Sequence, residues 1–155
     1  MAEPKVGDIA PEFIANSTTG ELSLASFKGR NVVLYFYPKD MTPGCTIEAQ
    51  EFTKAYPKFK KLNTEVIGVS RDDLSSHNKF CKQENILYPL LLDKDSKVCD
   101  MYGVIKEKSM FNKTFLGINR TTFLIDKNQK LFKIWHNVKP LGHAEEVLEV
   151  IKAMA

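Results

Sequence analysis

The stretch NVVLYFYPKDMTPGCTIEAQEFTKA, residues 31–55, changes its pattern once and at a defined place. Asn31 to Tyr37 is a continuous β-branched and aromatic run that stops at Pro38. Such a run reads as a central strand buried on both faces. From Cys45 onward, Ile47, Ala49, Phe52 and Ala55 recur at helical spacing, with Glu48, Gln50, Glu51 and Lys54 between them. The loop between the two patterns carries two prolines and a glycine, and Cys45 opens the helix. Pro57 is expected to kink or break that helix, with a further turn or two through Phe59 and Leu62.

Working outward, the same alternation continues. Phe13–Asn16 and Glu21–Ser23 read as two short strands, joined by a hairpin loop at Ser17-Thr18-Thr19-Gly20. Glu65–Ser70 is a second buried strand, and Asp72 or Asp73 can cap a helix over Leu74–Glu84. Leu90–Leu92 is a third strand, and Lys97–Tyr102 a short helix closed by Gly103. Arg120–Ile125 and Leu131–His136 form a late antiparallel pair around Asp126-Lys127-Asn128-Gln129, and Ala144–Ala153 is an amphipathic helix. Alternating βαβ units imply parallel pairing with helices on both faces, and the late hairpin adds an antiparallel edge. The pattern predicts a thioredoxin-like α/β fold: a central mixed sheet flanked by helices, with an N-terminal β-hairpin.

Bulk properties agree with one ordinary domain over residues 1–155. The chain is 43% hydrophobic and 26% charged, too apolar for disorder. A net charge of +3, without a dense basic run, argues against a nucleic-acid partner. No apolar window is long enough to span a membrane. Residues Met1 to Pro11 lack a secretory or transit signature, so a cytoplasmic location is expected. Cys45, Cys81 and Cys99 make an odd count, which leaves room for redox chemistry instead of a disulfide framework.

Cys45 is the residue placed for reaction. A thiol in the first turn of a helix faces unpaired backbone N–H groups and the positive end of the dipole, and both favour the thiolate. The thiolate is the nucleophile. The plainer alternative is a small residue packed at a helix start.

The run Phe36-Tyr37-Pro38-Lys39-Asp40-Met41-Thr42-Pro43-Gly44-Cys45-Thr46 resembles the active-site signature of peroxiredoxins, in the bacterioferritin comigratory protein (PrxQ) branch. The likeness extends to Val6–Phe13, Glu65–Ser70 and Arg120–Asp126. It implies a peroxidase that works through cysteine, without metal, haem or other cofactor, on hydrogen peroxide and organic hydroperoxides. It assigns Cys45 as the peroxidatic nucleophile. Thr42 would accept a bond from the peroxide and donate to the sulfur. Arg120 would steady the thiolate and the developing charge, with Gly44 and Cys45 N–H groups as further donors. Pro38 would roof the sulfur, and Glu48 would orient Arg120 through a bidentate pair. Each has a plainer alternative: Thr42 a helix cap, Arg120 a surface charge, Glu48 a solvated first-turn acid, Pro38 a strand terminator.

A sulfenic acid on Cys45 needs a second thiol. Many members of this branch carry it five positions later, where this chain has Gln50. Others place it where Cys81 stands, so the resemblance implies a Cys45–Cys81 disulfide, recycled by thioredoxin or a similar dithiol. The two segments are expected to unwind locally to meet. Cys81 shares a helical face with Leu74 and Asn78, which also allows a plain core thiol. Cys99 reads as a buried small hydrophobe, with resolving partner as the alternative. His77, His136 and His143 lack metal-ligand spacing and read as helix-surface, strand-end or loop residues. The resemblance suggests a monomer, or at most a weak dimer. Two other functions compete: a thiol-disulfide oxidoreductase, although Thr42 stands where C-x-x-C needs its other thiol, and a redox-sensing holdase without peroxidase turnover.

Overall fold

The computed structural model describes residues 3–154; Met1, Ala2 and Ala155, at the ends of the expected domain, lie outside the described residues. In chain order the elements are β1 (Ile14–Ser17), β2 (Gly20–Ser23), a 3-10 turn (Leu24–Phe27), β3 (Asn31–Phe36), α1 (Pro43–Lys61), β4 (Thr64–Ser70), α2 (Leu74–Glu84) and β5 (Leu90–Leu92). They continue with α3 (Lys97–Met101), β6 (Ile105–Met110), β7 (Lys113–Ile118), β8 (Thr121–Ile125), β9 (Leu131–Trp135) and α4 (His143–Met154). Seven strands form one mixed sheet in the order β2-β1-β5-β4-β3-β8-β9. β3, β4 and β5 run parallel, whereas β8 pairs antiparallel with both β3 and β9. This is the expected thioredoxin-like architecture, hairpin included.

The uninterrupted apolar run of β3 follows from cover on both sides. Val33, Tyr35 and Tyr37 pack with Phe52 and Phe59 of α1, Phe80 of α2, and Val147 and Leu148 of α4. Val32, Leu34 and Phe36 face the other way, onto Phe13, Val98, Cys99 and Tyr102. Fully burying a side chain of this size contributes about 1.5–3 kcal/mol, so both layers stabilise the central strands. No helix among the described residues is long and apolar enough to cross a membrane.

Two expectations are corrected. Pro57 neither ends nor divides α1, which runs unbroken from Pro43 to Lys61. An interior proline costs about 3 kcal/mol. Phe59, fully buried beyond it, and Tyr56 anchor the last turn in the core and offset that cost. Between Gly103 and Arg120, where no strand was expected, β6 and β7 form a separate two-stranded antiparallel hairpin.

Candidate active site

The site lies where β3 ends. The Tyr37 N–H still donates to the Val69 carbonyl (3.0 Å), and half-buried Pro38 then stops the ladder. Met41 takes a positive φ of 63°, which turns the chain toward α1. Thr42 is the N-cap residue and Pro43 follows inside the first turn, where its missing N–H costs nothing. The ladder of α1 begins with the Thr46 N–H on the Thr42 carbonyl (2.9 Å), so the Gly44 and Cys45 N–H groups have no acceptor within the helix. They point the positive end of the helix at the Cys45 sulfur's surroundings.

Arg120 reaches that sulfur because of strand register. Thr121, first in β8, pairs with Phe36, last in β3, so the residue before β8 stands beside the loop that leaves β3. Arg120 Nη2 donates to Cys45 Sγ (3.3 Å) and Nη1 donates to Glu48 Oε1 (2.7 Å). Glu48 lies one turn after Cys45 on α1, with its side chain fully buried, so it is not a solvated first-turn acid. Its Oε2 has no partner among the described residues. Burial pushes its carboxyl up to about 7, against the pull of the Arg120 charge. The bond to Arg120 therefore uses one carboxylate oxygen, not the bidentate pair expected. Gly44 makes room for the guanidinium: a Cβ there would lie 3.2 Å from Arg120 Nη2 and 3.5 Å from Pro140 Cγ.

Thr42 departs from expectation in one detail. Its hydroxyl donates to the Lys39 carbonyl (2.8 Å), neither to the sulfur nor to the helix end. With its proton so placed, the oxygen presents lone pairs and can accept a bond. Sequence reading also missed Lys108 on β6. Burial and the Arg120 charge push its ammonium down, while the Cys45 sulfur pulls it up. Nothing local marks it, because its hairpin went unread.

The other two thiols sit differently. Cys81 is half-buried on α2, packed against the same core layer that contains Cys45. Burial pushes its thiol up to about 11, with the Thr18 hydroxyl opposing and Asp40 adding to the rise. Cys99 belongs to the opposite layer, fully buried, and burial also raises it well above the ordinary range. All three are free thiols here. The histidine expectation fails for two of the three. His77 is fully buried between Asp40 and the Leu91 carbonyl, and His143 is 3% exposed, bonded to Thr122 and Glu146. Both polar rings find partners inside, which offsets the cost of burial.

A thioredoxin-like sheet with a cysteine in the first turn of a helix, a guanidinium on its sulfur and free N–H donors beside it defines a class of thiol-dependent peroxidase: charge on the attacking sulfur and on a departing oxygen is met by fixed donors. Comparison with known proteins agrees. The AhpC/TSA family model matches residues 6–134. The chain is 45% identical over 150 residues to the putative peroxiredoxin bcp of Helicobacter pylori strain J99, covering 96% of this chain and 99% of that one. It is 42% identical over 152 residues to peroxiredoxin Bcp of Bacillus subtilis, covering 97% of each. Among solved structures, peroxiredoxin Q of Xanthomonas campestris superposes with a TM-score of 0.89 at 38% identity, over 97% of this chain and 96% of that one. A cysteine-to-serine mutant of Xylella fastidiosa PrxQ gives 0.91 at 38%, over 99% of each. The chain belongs to the AhpC/TSA family, as a peroxiredoxin of its Bcp (PrxQ) branch.

Proposed function

We propose that Cys45 is the peroxidatic nucleophile and that Cys81 resolves it, in a cycle closed by thioredoxin or a similar dithiol. The observation that carries the first half is the Arg120 bridge between Cys45 Sγ and Glu48. The Cys45 thiolate attacks the terminal oxygen of a hydroperoxide. An S–O bond forms, the O–O bond breaks, and the leaving alkoxide or hydroxide takes a proton. Sulfur gives up two electrons and the peroxide is reduced to alcohol or water. Arg120 and the Gly44 and Cys45 N–H groups meet the negative charge as it moves. Thr42 accepts the bond from the hydroperoxide O–H, Pro38 limits water at the sulfur, and Glu48 holds the guanidinium in place.

Cys81 is favoured over Cys99 because it shares a core layer with Cys45, whereas the sheet separates Cys45 from Cys99. In the Xanthomonas campestris protein, two cysteines spaced as Cys45 and Cys81 are here have each been replaced by serine. Trapped intermediate and ligand complexes of that organism's bacterioferritin comigratory protein bear on its alkyl peroxide reduction activity, which supports organic hydroperoxides beside hydrogen peroxide as substrates here. A cytoplasmic monomer, at most weakly dimeric, completes the reading.

Mass spectrometry after one equivalent of hydrogen peroxide tests it. A Cys45–Cys81 disulfide is expected, which dithiol reduces. A Cys45–Cys99 bridge that sustains turnover would overturn the resolving assignment.

A further inference from the structure

Asp40 lies in the loop between β3 and α1, five positions before Cys45, yet it is only 3% exposed. Its carboxylate is fully engaged. Oδ1 accepts from the Tyr37 hydroxyl (2.6 Å), and Oδ2 accepts from Ser76 Oγ (2.8 Å) and from His77 Nδ1 (2.7 Å). Its backbone N–H donates to Asp72 Oδ2 (2.9 Å), just before α2. Ser76 and His77 belong to the first turn of α2. Cys81 lies four residues after His77, on the same helical face. One carboxylate thus ties the loop that leads to Cys45 to the helix that carries Cys81.

His77 makes the tie strong. Its Nε2 faces the Leu91 carbonyl (2.7 Å), which can only accept, so that nitrogen carries a proton. Its Nδ1 faces an oxygen of Asp40 that already accepts a hydroxyl. Two acceptors on two ring nitrogens call for an imidazolium, and the contact is then a charge-assisted bond. The balance of its surroundings agrees. Burial works to lower the ring's affinity for its proton, but Asp40, the Leu91 carbonyl and Asp72 outweigh it and raise it. The oxygen and nitrogen atoms of Asp40, Asp72 and His77 also lie close enough together to hold a cation, but their facing atoms are already engaged by one another and by Ser70 and Ser76.

We propose that Asp40 and His77 are positioning residues for the peroxidase cycle: their contact holds the Cys45 loop and α2 in the peroxide-reducing arrangement, and its parting is the step that lets Cys45 and Cys81 meet. The proposal rests on the reading of Cys45 and Cys81 given above. After peroxide attack Cys45 carries Sγ–OH. The Cys81 sulfur attacks it, an S–S bond forms, the S–O bond breaks, and hydroxide leaves to become water with the Cys81 proton. No outside oxidant enters. In the fastened state Cys81 is a poor attacker, because its thiol is held up at about 11 and little of it is thiolate near neutrality. Release of α2 exposes the thiol and restores its acidity, so one rupture supplies both reach and reactivity.

The test separates two rates in the full chain by rapid mixing with hydrogen peroxide, acid quench and mass spectrometry. One is sulfenic acid formation, first order in peroxide. The other is disulfide formation, independent of peroxide. In His77→Gln and in Asp40→Asn the second rate is expected to rise about tenfold or more, while the first falls. The Asp40→Asn/His77→Gln double variant should go no further than the stronger single one, since both break one contact. Tyr37→Phe removes only the Oδ1 bond and should give a smaller shift in the same directions. It decides the matter should the other variants not fold. Two rates that fall together, or do not move, would overturn the latch and leave an ordinary buried pair. If the wild-type chain forms no Cys45–Cys81 bond at all, the underlying cycle fails instead, and the two failures are told apart in the same spectra.

Discussion

The first turn of α1 and the last turns of α2 each present a cysteine to the same core layer, but what surrounds each sulfur differs. Cys45 stands at the positive end of its helix, with a guanidinium 3.3 Å from Sγ. Cys81 stands near the C-terminal end of its own, where its carbonyl accepts the Asn85 and Ile86 N–H groups and the dipole is negative. Among the described residues no cation touches Cys81, and burial and Asp40 hold its proton on. A rise from 9.0 to about 11 leaves about a hundredfold less thiolate at a given pH. Residue type is therefore no guide to reactivity. In the proposed cycle, the element end and the nearest charge decide which sulfur attacks first and which must wait.

The largest effect that can break this contrast is removal of each sulfur in turn. Cys45→Ser should abolish peroxide consumption, by at least about a thousandfold in the second-order rate measured by stopped flow. Cys81→Ser should leave that first phase within about twofold of wild type, yet end multiple turnover with a dithiol reductant. A Cys81→Ser variant that loses the first phase equally would show that the two thiols are not divided as argued.

Next in size is Arg120→Lys. Lysine keeps the charge but cannot span Cys45 and Glu48 with a planar fork. The first phase should fall about a hundredfold, in the range found when one fixed donor is lost from a charge-stabilising site. Disulfide formation from pre-formed sulfenic acid should change little, since Arg120 touches Cys45 and not Cys81. A drop confined to the second phase would reverse the assignment of Arg120.

These residues show what could be read from the sequence. Asp73 caps α2 with its side chain on the Ser76 N–H (2.9 Å), as its place before Leu74 suggests, and β5 falls on Leu90–Leu92. Local chemistry of that kind is legible. The Arg120–Cys45 contact spans 75 positions and depends on the register of β8 against β3, so only family resemblance pointed to it. The β6–β7 hairpin hid for a local reason. Its turn is Phe111-Asn112, both at positive φ (53° and 62°) without a glycine, and its strands are largely exposed, so neither turn chemistry nor alternation marks it. His77 hid because a polar residue on a helix reads as surface until a buried carboxylate from another segment is seen beside it.

A smaller effect tests the electrostatics through pH. Glu48 in the folded chain holds its proton up to about 7, above its ordinary value of 4.5. The folded state then binds the proton more tightly than the unfolded one. Stability is full below pH 4.5 and declines as pH rises through about 7, by up to about 3 kcal/mol if nothing compensates. Glu48→Gln removes that slope while its carbonyl still accepts from Arg120 Nη1. Urea unfolding across this window should give a flatter profile for the variant, with the first kinetic phase reduced about tenfold or less. An unchanged slope would mean that Glu48 is ionised throughout.

The smallest effect belongs to the third sulfur, which serves as the control. Cys99 is fully buried in the layer across the sheet from Cys45, and its N–H donates to Asp93 Oδ2 (2.7 Å) whatever its side chain is. Alanine there removes one heavy atom from a packed site and leaves a small void, a loss of about 1 kcal/mol by comparison with other single-group deletions in cores. That backbone bond survives the change. Both kinetic phases should stay within about twofold of wild type, and the Cys45–Cys81 bond should still form after one equivalent of peroxide. Should Cys99→Ala instead slow disulfide formation, the sheet would not be the barrier between its two faces that the packing describes, and the division of labour between α1 and α2 would need a third participant.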